Sequence, residues 1–271
     1  MQCRFINTDF MDGYANMAID EAILHYCQIP TLRIYGWKPS AISIGYNQDI
    51  IKEININNCK NLNIDIVRRI TGGKAIFHDK EITYSFILPE DTNLLPSEIN
   101  ESYKAIATAL VLALKKFNLN VEIKKSPEKI ATSICFNSSN WYELLVNNKK
   151  ISGSAQRRKD GKVLQHGSIL IDFDYDKNSL LFNSNNPIDN INNLKKRITS
   201  LNNELNNTIN KNKIINYKKI AEAIKFGFKE NFDFDMADGS LTQEEIKLAE
   251  KLRKEKYATE EWNYKLLAKT I

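Results

Sequence analysis

The sequence predicts a chain that mixes α-helices with β-strands, and three stretches carry that prediction. Residues 16–27, NMAIDEAILHYC, and residues 98–117, rich in Ala and Leu, place apolar side chains at helical spacing. Residues 131–170 behave differently. There, 141–146 alternates as a strand, Asn147-Asn148 reads as a turn, the next strand carries Lys150, and a third strand runs over 163–170. Three short strands joined by tight turns make a meander, which can hold a loop residue and a strand residue close together.

The other elements follow in chain order. The helix over 16–27 ends ahead of Pro30, and His25 on it reads as a surface or satisfied core side chain rather than a base. Residues 31–35 and 41–44 read as a pair of strands around Gly36-Trp37-Lys38-Pro39. Polar Gly45-Tyr46-Asn47-Gln48 then leads into a helix expected over 49–59. Residues 64–69 and 82–88 look like strands, with Thr71-Gly72-Gly73-Lys74 as a tight turn between them. The helix over 98–117 is expected to be the principal one against the sheet, followed by a short strand over 120–123 and a loop over 124–131 that leads to Cys135. Residues 183–213 are rich in Asn and lack aromatic side chains, so they read as a polar loop broken by 194–198. An amphipathic helix is expected over 216–231, and a charged helix to about 256, capped by Ser240 or Thr242. Residues 257–263 close that last helix.

With 271 residues, 42% hydrophobic and 10% aromatic, the chain can build a substantial core. The net charge of +5 favours acidic partners. It does not indicate nucleic acid, because both signs of charge are interspersed along the chain. Cys3, Cys27, Cys59 and Cys135 form no CxxC pair and no zinc spacing. The N-terminal MQCRFINTDF lacks the basic, apolar and small-residue succession of a secretory signal. No apolar run approaches the ~20 residues of a bilayer span. A cytoplasmic protein with reduced thiols and no membrane partner is expected.

Cys135 lies in the short polar loop ICFNSSN, fifteen residues before Lys150. A thiol beside an ammonium is one route to a thiolate near neutral pH, which makes this pair the candidate for chemistry. Gly72-Gly73 removes two side chains from a turn. Such a turn either lets backbone approach a ligand closely or serves only as a hairpin. It is not a phosphate loop, for no GxxxxGK[ST] is present. His78, four residues past Lys74 and near Glu81, reads as ligand-orienting or as purely structural.

Three motifs taken together, RRITGGKAIFHDKEITYSF (68–86), KISGSAQ (150–156) and QHGSILID (165–172), resemble the superfamily of lipoate ligases, octanoyltransferases and biotin ligases. The resemblance covers about residues 14–234 and touches the tail, where KYATEEWNYK looks like the ending of one branch. It implies an α+β fold with a large mixed sheet, a smaller sheet and flanking helices. It also implies a catalytic domain over 14–234 and a short C-terminal helical appendage over 235–271. The segment Gly153-Ser154-Ala155 discriminates weakly between branches. Cys135 in ICFNSSNWYEL, paired with Lys150, looks like the octanoyltransferases of Gram-positive lipoate assembly.

That resemblance implies transfer of octanoyl from acyl carrier protein to a lysine of a lipoyl domain, commonly the glycine-cleavage H protein. The transfer would pass through a Cys135 thioester, with Lys150 lowering the thiol pKa and with neither cofactor nor metal. Arg68, Gly72 and Gly73 are expected to shape the acyl tunnel, with His78, Gly153, Ser154, Ala155 and His166 beside the substrate. Backbone near Gly153 or Gly72-Gly73 is the expected oxyanion site. Arg157, Arg158, Lys159 and Lys162 either meet an acidic acyl carrier protein or form a solvated turn. The alternatives are an ATP-dependent lipoate-protein ligase, an amidotransferase that draws octanoyl from the H protein, and a non-catalytic binding module on the same fold.

Overall fold

The computed structural model describes residues 1–124, 142–184, 186–206 and 216–264. Its first half runs β1 (Gln2–Met11), α1 (Gly13–Tyr26), β2 (Thr31–Trp37), β3 (Ala41–Ile44), α2 (Ile50–Glu53), α3 (Ile56–Asn61), β4 (Asp65–Arg68), β5 (Ile76–His78), β6 (Glu81–Pro89) and α4 (Ile99–Lys115). The second half runs β7 (Val121–Ile123), β8 (Leu144–Val146), β9 (Lys149–Lys159), β10 (Lys162–Leu170), α5 (Tyr175–Leu181), α6 (Pro187–Arg197), α7 (Leu201–Asn206), α8 (Tyr217–Phe232), β11 (Asp235–Asp238), α9 (Gln243–Leu252) and α10 (Glu260–Tyr264). Among the described residues the strands form an eight-stranded sheet, β11-β1-β2-β6-β10-β9-β8-β7, and a three-stranded sheet, β4-β3-β5. β1 runs parallel to both neighbours, and every later pair in the large sheet is antiparallel. The architecture is α+β, with a large mixed sheet and a smaller one.

Local chemistry explains most helix starts. The Asp12 carboxylate accepts from Ala15 N at 2.8 Å to cap α1. Glu98 accepts from the amides of Asn100 and Glu101 to cap α4. Thr242 and Glu245 form a reciprocal capping box that starts α9, so the cap is Thr242 rather than Ser240. One face of the large sheet is covered by α4 and α8, where Phe86, Phe228, Phe232 and Phe234 stack together. The opposite face meets α1 and α9, which pack on each other. No helix among the described residues is long and apolar enough to cross a membrane.

Several expectations change. β2 and β3 are not a pair: β2 continues through Trp37 and lies between β1 and β6, whereas β3 sits in the small sheet. Gly36-Trp37 is held in the large sheet by Asn16 Nδ2 donating to Gly36 O and by Trp37 Nε1 donating to Thr83 Oγ1. The helix over 49–59 breaks into α2 and α3, because Ile54 bridges to Phe182 and the Asn55 side chain caps a new helix. Thr71-Gly72-Gly73-Lys74 is not a hairpin turn, since β3 lies between β4 and β5 and the loop crosses its end. The Asn-rich stretch is not all loop. It contains α6 and α7, anchored by the buried Leu194, Ile198 and Leu201, while 207–213 lies outside the described residues. The strands β1, β5 and β11 had no counterpart in the sequence reading.

Candidate active site

The site is built on β9, β10 and the loop after β4. Where β8 meets β9, Leu144 stands opposite Ser152 but Leu145 stands opposite Lys150, so Ile151 is an extra residue in the ladder. Such a bulge reverses the side to which the preceding side chain points. Lys150 therefore shares the side of Gly153: a Cβ at 153 would lie 3.1 Å from Lys150 Cε and 3.2 Å from its Nζ. The ammonium is buried and pairs with Glu143 Oε1 at 2.5 Å, a carboxylate that is itself 5% exposed. Glu143 was not picked out from the sequence. The single clue was a lone acid in an otherwise aromatic and aliphatic strand. Cys135 lies outside the described residues.

Beyond Gly153, a narrow cleft with a volume of about 20 Å³ is lined by Gly153 and Ala155 of β9, by His166 and Ser168 of β10, and by Arg69 and His78. Ser168 Oγ is buried and has no hydrogen-bond partner, as is true of His78 Nδ1. A second hollow shares Ala155 with this cleft and adds Gly72, Gly73, Tyr103 and Ser154, which places the double glycine and Ser154 at its outer side. Ser154 Oγ is 2.7 Å from the Tyr84 hydroxyl, which accepts from Gln165 Nε2 at 2.9 Å.

Of the two adjacent arginines, Arg69 rather than Arg68 reaches the cleft. Arg68 Nη1 donates to the carbonyls of Gly45, Tyr46 and Gln48, while its Nε and Nη2 donate to the carbonyls of Trp262 and Asn263. It thereby ties the tail to the loop after β3. Arg69 donates to Ser43 O, Thr71 Oγ1, Gly72 O and Lys74 O, and so fixes the shape of the glycine loop. Gly73 has φ +87°, a conformation that L side chains rarely adopt.

Of the two site histidines, His166 is held by a buried acid and His78 by a hydroxyl and a stacked ring. His166 Nδ1 lies 3.1 Å from Asp20 Oδ2, and its Nε2 lies 2.7 Å from Thr71 Oγ1. Asp20 also receives Arg33 Nη1 at 2.7 Å and the Tyr35 hydroxyl at 2.9 Å. Burial raises the Asp20 pKa, but the Arg33 charge and His166 outweigh it and hold the carboxyl below its usual range. His78 Nε2 meets Ser43 Oγ at 2.8 Å, and the ring stacks on Trp37. Burial, with Arg69 and His166 nearby, keeps His78 far below its ordinary pKa, so it is neutral at pH 7. Its Nδ1 stands 3.5 Å from Glu81 Oε1, and burial raises the Glu81 carboxyl well above its usual range. Asp20, Arg33 and Glu81 were not identified as site residues from the sequence, because single charges within apolar runs look the same as surface positions.

Arg157, Lys159 and Lys162 face one groove outside the cleft. Arg158 does not, since it reaches Glu90 at 2.9 Å and Pro96 O at 2.6 Å. Among the described residues no group of three His, Cys, Asp or Glu side chains could hold a metal ion.

The family profile described as lipoyl protein ligase A/B catalytic domain matches residues 12–225. A protein named octanoyltransferase LipM from Brevibacillus brevis is 40% identical over 277 residues, covering 97% of this chain and 98% of that one. Its namesake from Clostridioides difficile is 40% identical over 275 residues, covering 97% and 99%. That from Bacillus subtilis is 35% identical over 277 residues, covering 97% and 98%. Among solved structures, an archaeal bipartite lipoate protein ligase from Thermoplasma acidophilum superimposes with TM-score 0.82 at 23% identity, covering 100% of this chain and 99% of that one. A lipoate-protein ligase A bound with ATP superimposes with TM-score 0.81 at 24% identity, covering 98% and 100%. The two structures share the fold.

Proposed function

The chain belongs to the lipoyl protein ligase A/B catalytic domain family, and we propose that it is an octanoyltransferase working through Cys135. The reading rests on one observation above all. A buried ammonium, Lys150, is turned by a strand bulge onto the side of Gly153, which also lines a narrow cleft among Met17, Trp37, Ile76 and Ala155. The sequence supplies a thiol, Cys135, fifteen residues earlier.

In this reading Cys135 thiolate attacks the carbonyl carbon of octanoyl carried on acyl carrier protein. The new C–S bond forms as the carrier C–S bond breaks, and the carrier thiol leaves with a proton. The ε-amine of a lipoyl-domain lysine, with the H protein as the leading acceptor, then attacks the enzyme thioester. An amide forms, the amine proton departs, and the Cys135 thiolate returns. The acyl group keeps thioester energy throughout, so no ATP is consumed. Lys150 stabilises the thiolate over the thiol by Coulomb attraction, and Glu143 holds the ammonium in place. Backbone N–H groups around Gly153 or Gly72-Gly73 are the candidates to stabilise the tetrahedral oxyanion. The neutral His78 and the Asp20-held His166 shape the cleft and Thr71, and with them the glycine loop. We assign the reaction to the cytoplasm, where Cys3, Cys27 and Cys59 stay free and buried.

Incubation with octanoyl acyl carrier protein and apo H protein, without ATP, followed by mass measurement of both proteins, tests the reading. Octanoyl should move to the H protein, with a transient octanoyl adduct on the enzyme that Cys135→Ser lacks. Transfer that requires ATP and free octanoate would establish a ligase instead, and an unreduced rate in Cys135→Ser would remove the nucleophile.

A further inference from the structure

On the outer side of Ile70, next to the glycine loop, runs an open groove with a volume of about 350 Å³. Arg157, Lys159, Lys162 and Lys256 line it together with Glu21 and Asp160. Glu21 is already engaged, accepting from Lys256 Nζ at 2.7 Å and from the Tyr257 hydroxyl at 2.5 Å. Asp160 stands 3.7 Å from Lys159 at an exposed position. The Lys256 ammonium is pushed below its ordinary pKa by burial, drawn back by Glu21, and lowered again by Lys159 and Arg157. Cations crowded in this way are relieved by an incoming anion. Arg157 is the best-held member, donating to Ile70 O at 2.6 Å with its guanidinium carbon 5.1 Å from the Tyr46 ring centre.

The groove and the cleft are joined by β9 itself. Gly153 and Ala155 line the cleft, and Arg157, on the same alternation, lines the groove. Four residues of strand separate Gly153 from Arg157, a span of ~13 Å. A pantetheine arm has about twelve bonds between its sulfur and its phosphate oxygen, as many as four residues of backbone, and so extends ~13–14 Å.

We propose that this groove binds the phosphate of the phosphopantetheine arm on which the octanoyl thioester arrives, so that Arg157 and Lys159 hold the phosphate while the thioester lies at Gly153. The assignment rests on the octanoyl-transfer reading above. It concerns the arm, which acyl carrier protein shares with coenzyme A, and not the surface of the carrier.

The test compares octanoyl thioesters of phosphopantetheine, of pantetheine lacking the phosphate, of coenzyme A and of acyl carrier protein. The enzymes are the wild type, Lys159→Glu at its exposed position, and Arg157→Ala, with melting curves for each. The wild type should use the phosphopantetheine thioester at least tenfold better in kcat/KM than the pantetheine thioester, and both variants should bring that ratio close to one. Both should also lose about tenfold with coenzyme A and with the carrier protein. An unchanged ratio, or a loss confined to the carrier protein, overturns the proposal in favour of a protein contact or none. If no thioester acylates the enzyme, the octanoyl-transfer reading fails on its own. Calorimetric titration with free phosphopantetheine then decides the groove: tenfold weaker binding by Lys159→Glu keeps it, and equal or undetectable binding removes it.

Discussion

The Lys150 ammonium lies 3.2 Å from the point where a Cβ on residue 153 would stand, so Gly153 leaves the space into which the lysine is turned. The neighbour at risk is the far end of a flexible side chain, and the strand itself need not move. Gly153→Ala should therefore displace the ammonium and spare the fold. Contacts of 3.1 and 3.2 Å ask the lysine end to give by a few tenths of an ångström, whereas a displacement of about 1 Å in a catalytic group costs on the order of a hundredfold in rate. We therefore expect a several-fold loss in octanoyl transfer with a melting temperature within a few degrees of wild type. Equal loss of stability and activity would mean that Gly153 serves the strand alone.

Lys150→Met removes half of a buried ion pair and leaves Glu143 behind, a change that costs on the order of 3–5 kcal/mol. The double variant Lys150→Met, Glu143→Leu should regain most of that stability and remain inactive at neutral pH. In both variants the Cys135 thiol should titrate nearer the ordinary cysteine value of about 8.5, so part of the activity returns as the pH is raised. Lys150→Arg keeps the charge without the compact geometry and should fall between. The pH dependence of iodoacetamide alkylation at Cys135, read by mass spectrometry, checks this. Identical titration in the wild type and all three variants would move Lys150 to a role in orienting the carbonyl or the incoming lysine.

The two loop glycines separate conformational strain from approach to the substrate. Gly73 has φ +87°, and a Cβ there would lie 3.0 Å from Arg69 Nη2, so Gly73→Ala should cost ~1–2 kcal/mol of stability as well as activity. A Cβ on Gly72 would meet nothing within 4 Å. Gly72→Ala should melt like the wild type, and its KM for the acyl donor should rise several-fold if the donor runs over this loop. Melting curves paired with steady-state kinetics distinguish the two. An unaltered KM in Gly72→Ala places the substrate elsewhere.

How much of this was legible in the chain depends on what each residue shows locally. The β8-β9-β10 meander announced itself, because alternation gives its faces and Asn147-Asn148 adopts the left-handed φ values, 50° and 60°, that a two-residue hairpin requires. The bulge at Ile151 did not, since one extra residue in a ladder leaves no mark on composition yet reverses the side on which Lys150 lies. The glycine loop was visible as a turn, but its partners were not, because β3 enters between β4 and β5 from outside the segment. Arg68 and Arg69 are indistinguishable as letters. Only the packing of the tail decides that one holds Trp262 and Asn263 while the other faces the cleft.

Glu81 supplies a prediction about pH. Burial holds its carboxyl well above the ordinary range, despite the hydrogen bond from Thr83. The folded protein thus binds this proton more tightly than the unfolded chain does. Its stabilising effect is present below the ordinary carboxylate pKa of ~4.3 and is lost as pH rises toward the folded value, at about 1.4 kcal/mol per pH unit. Glu81→Gln remains neutral at every pH and should resist urea better than wild type at pH 8. The advantage should shrink toward pH 5. His78 has the opposite sign, its depressed pKa costing stability only below about pH 6.5, so the comparison at pH 8 is free of it. A difference between variant and wild type that does not change with pH would mean Glu81 is ionised in the fold.

The bonds from Arg68 to the carbonyls of Trp262 and Asn263 also carry a temporal consequence. On a ribosome, Arg68 and the loop it fastens emerge almost two hundred residues before their partners. Until those partners arrive the guanidinium lacks two of the carbonyls it ends up holding, and the loop after β3 lacks its final brace. That brace therefore forms only after every strand of both sheets has been synthesised.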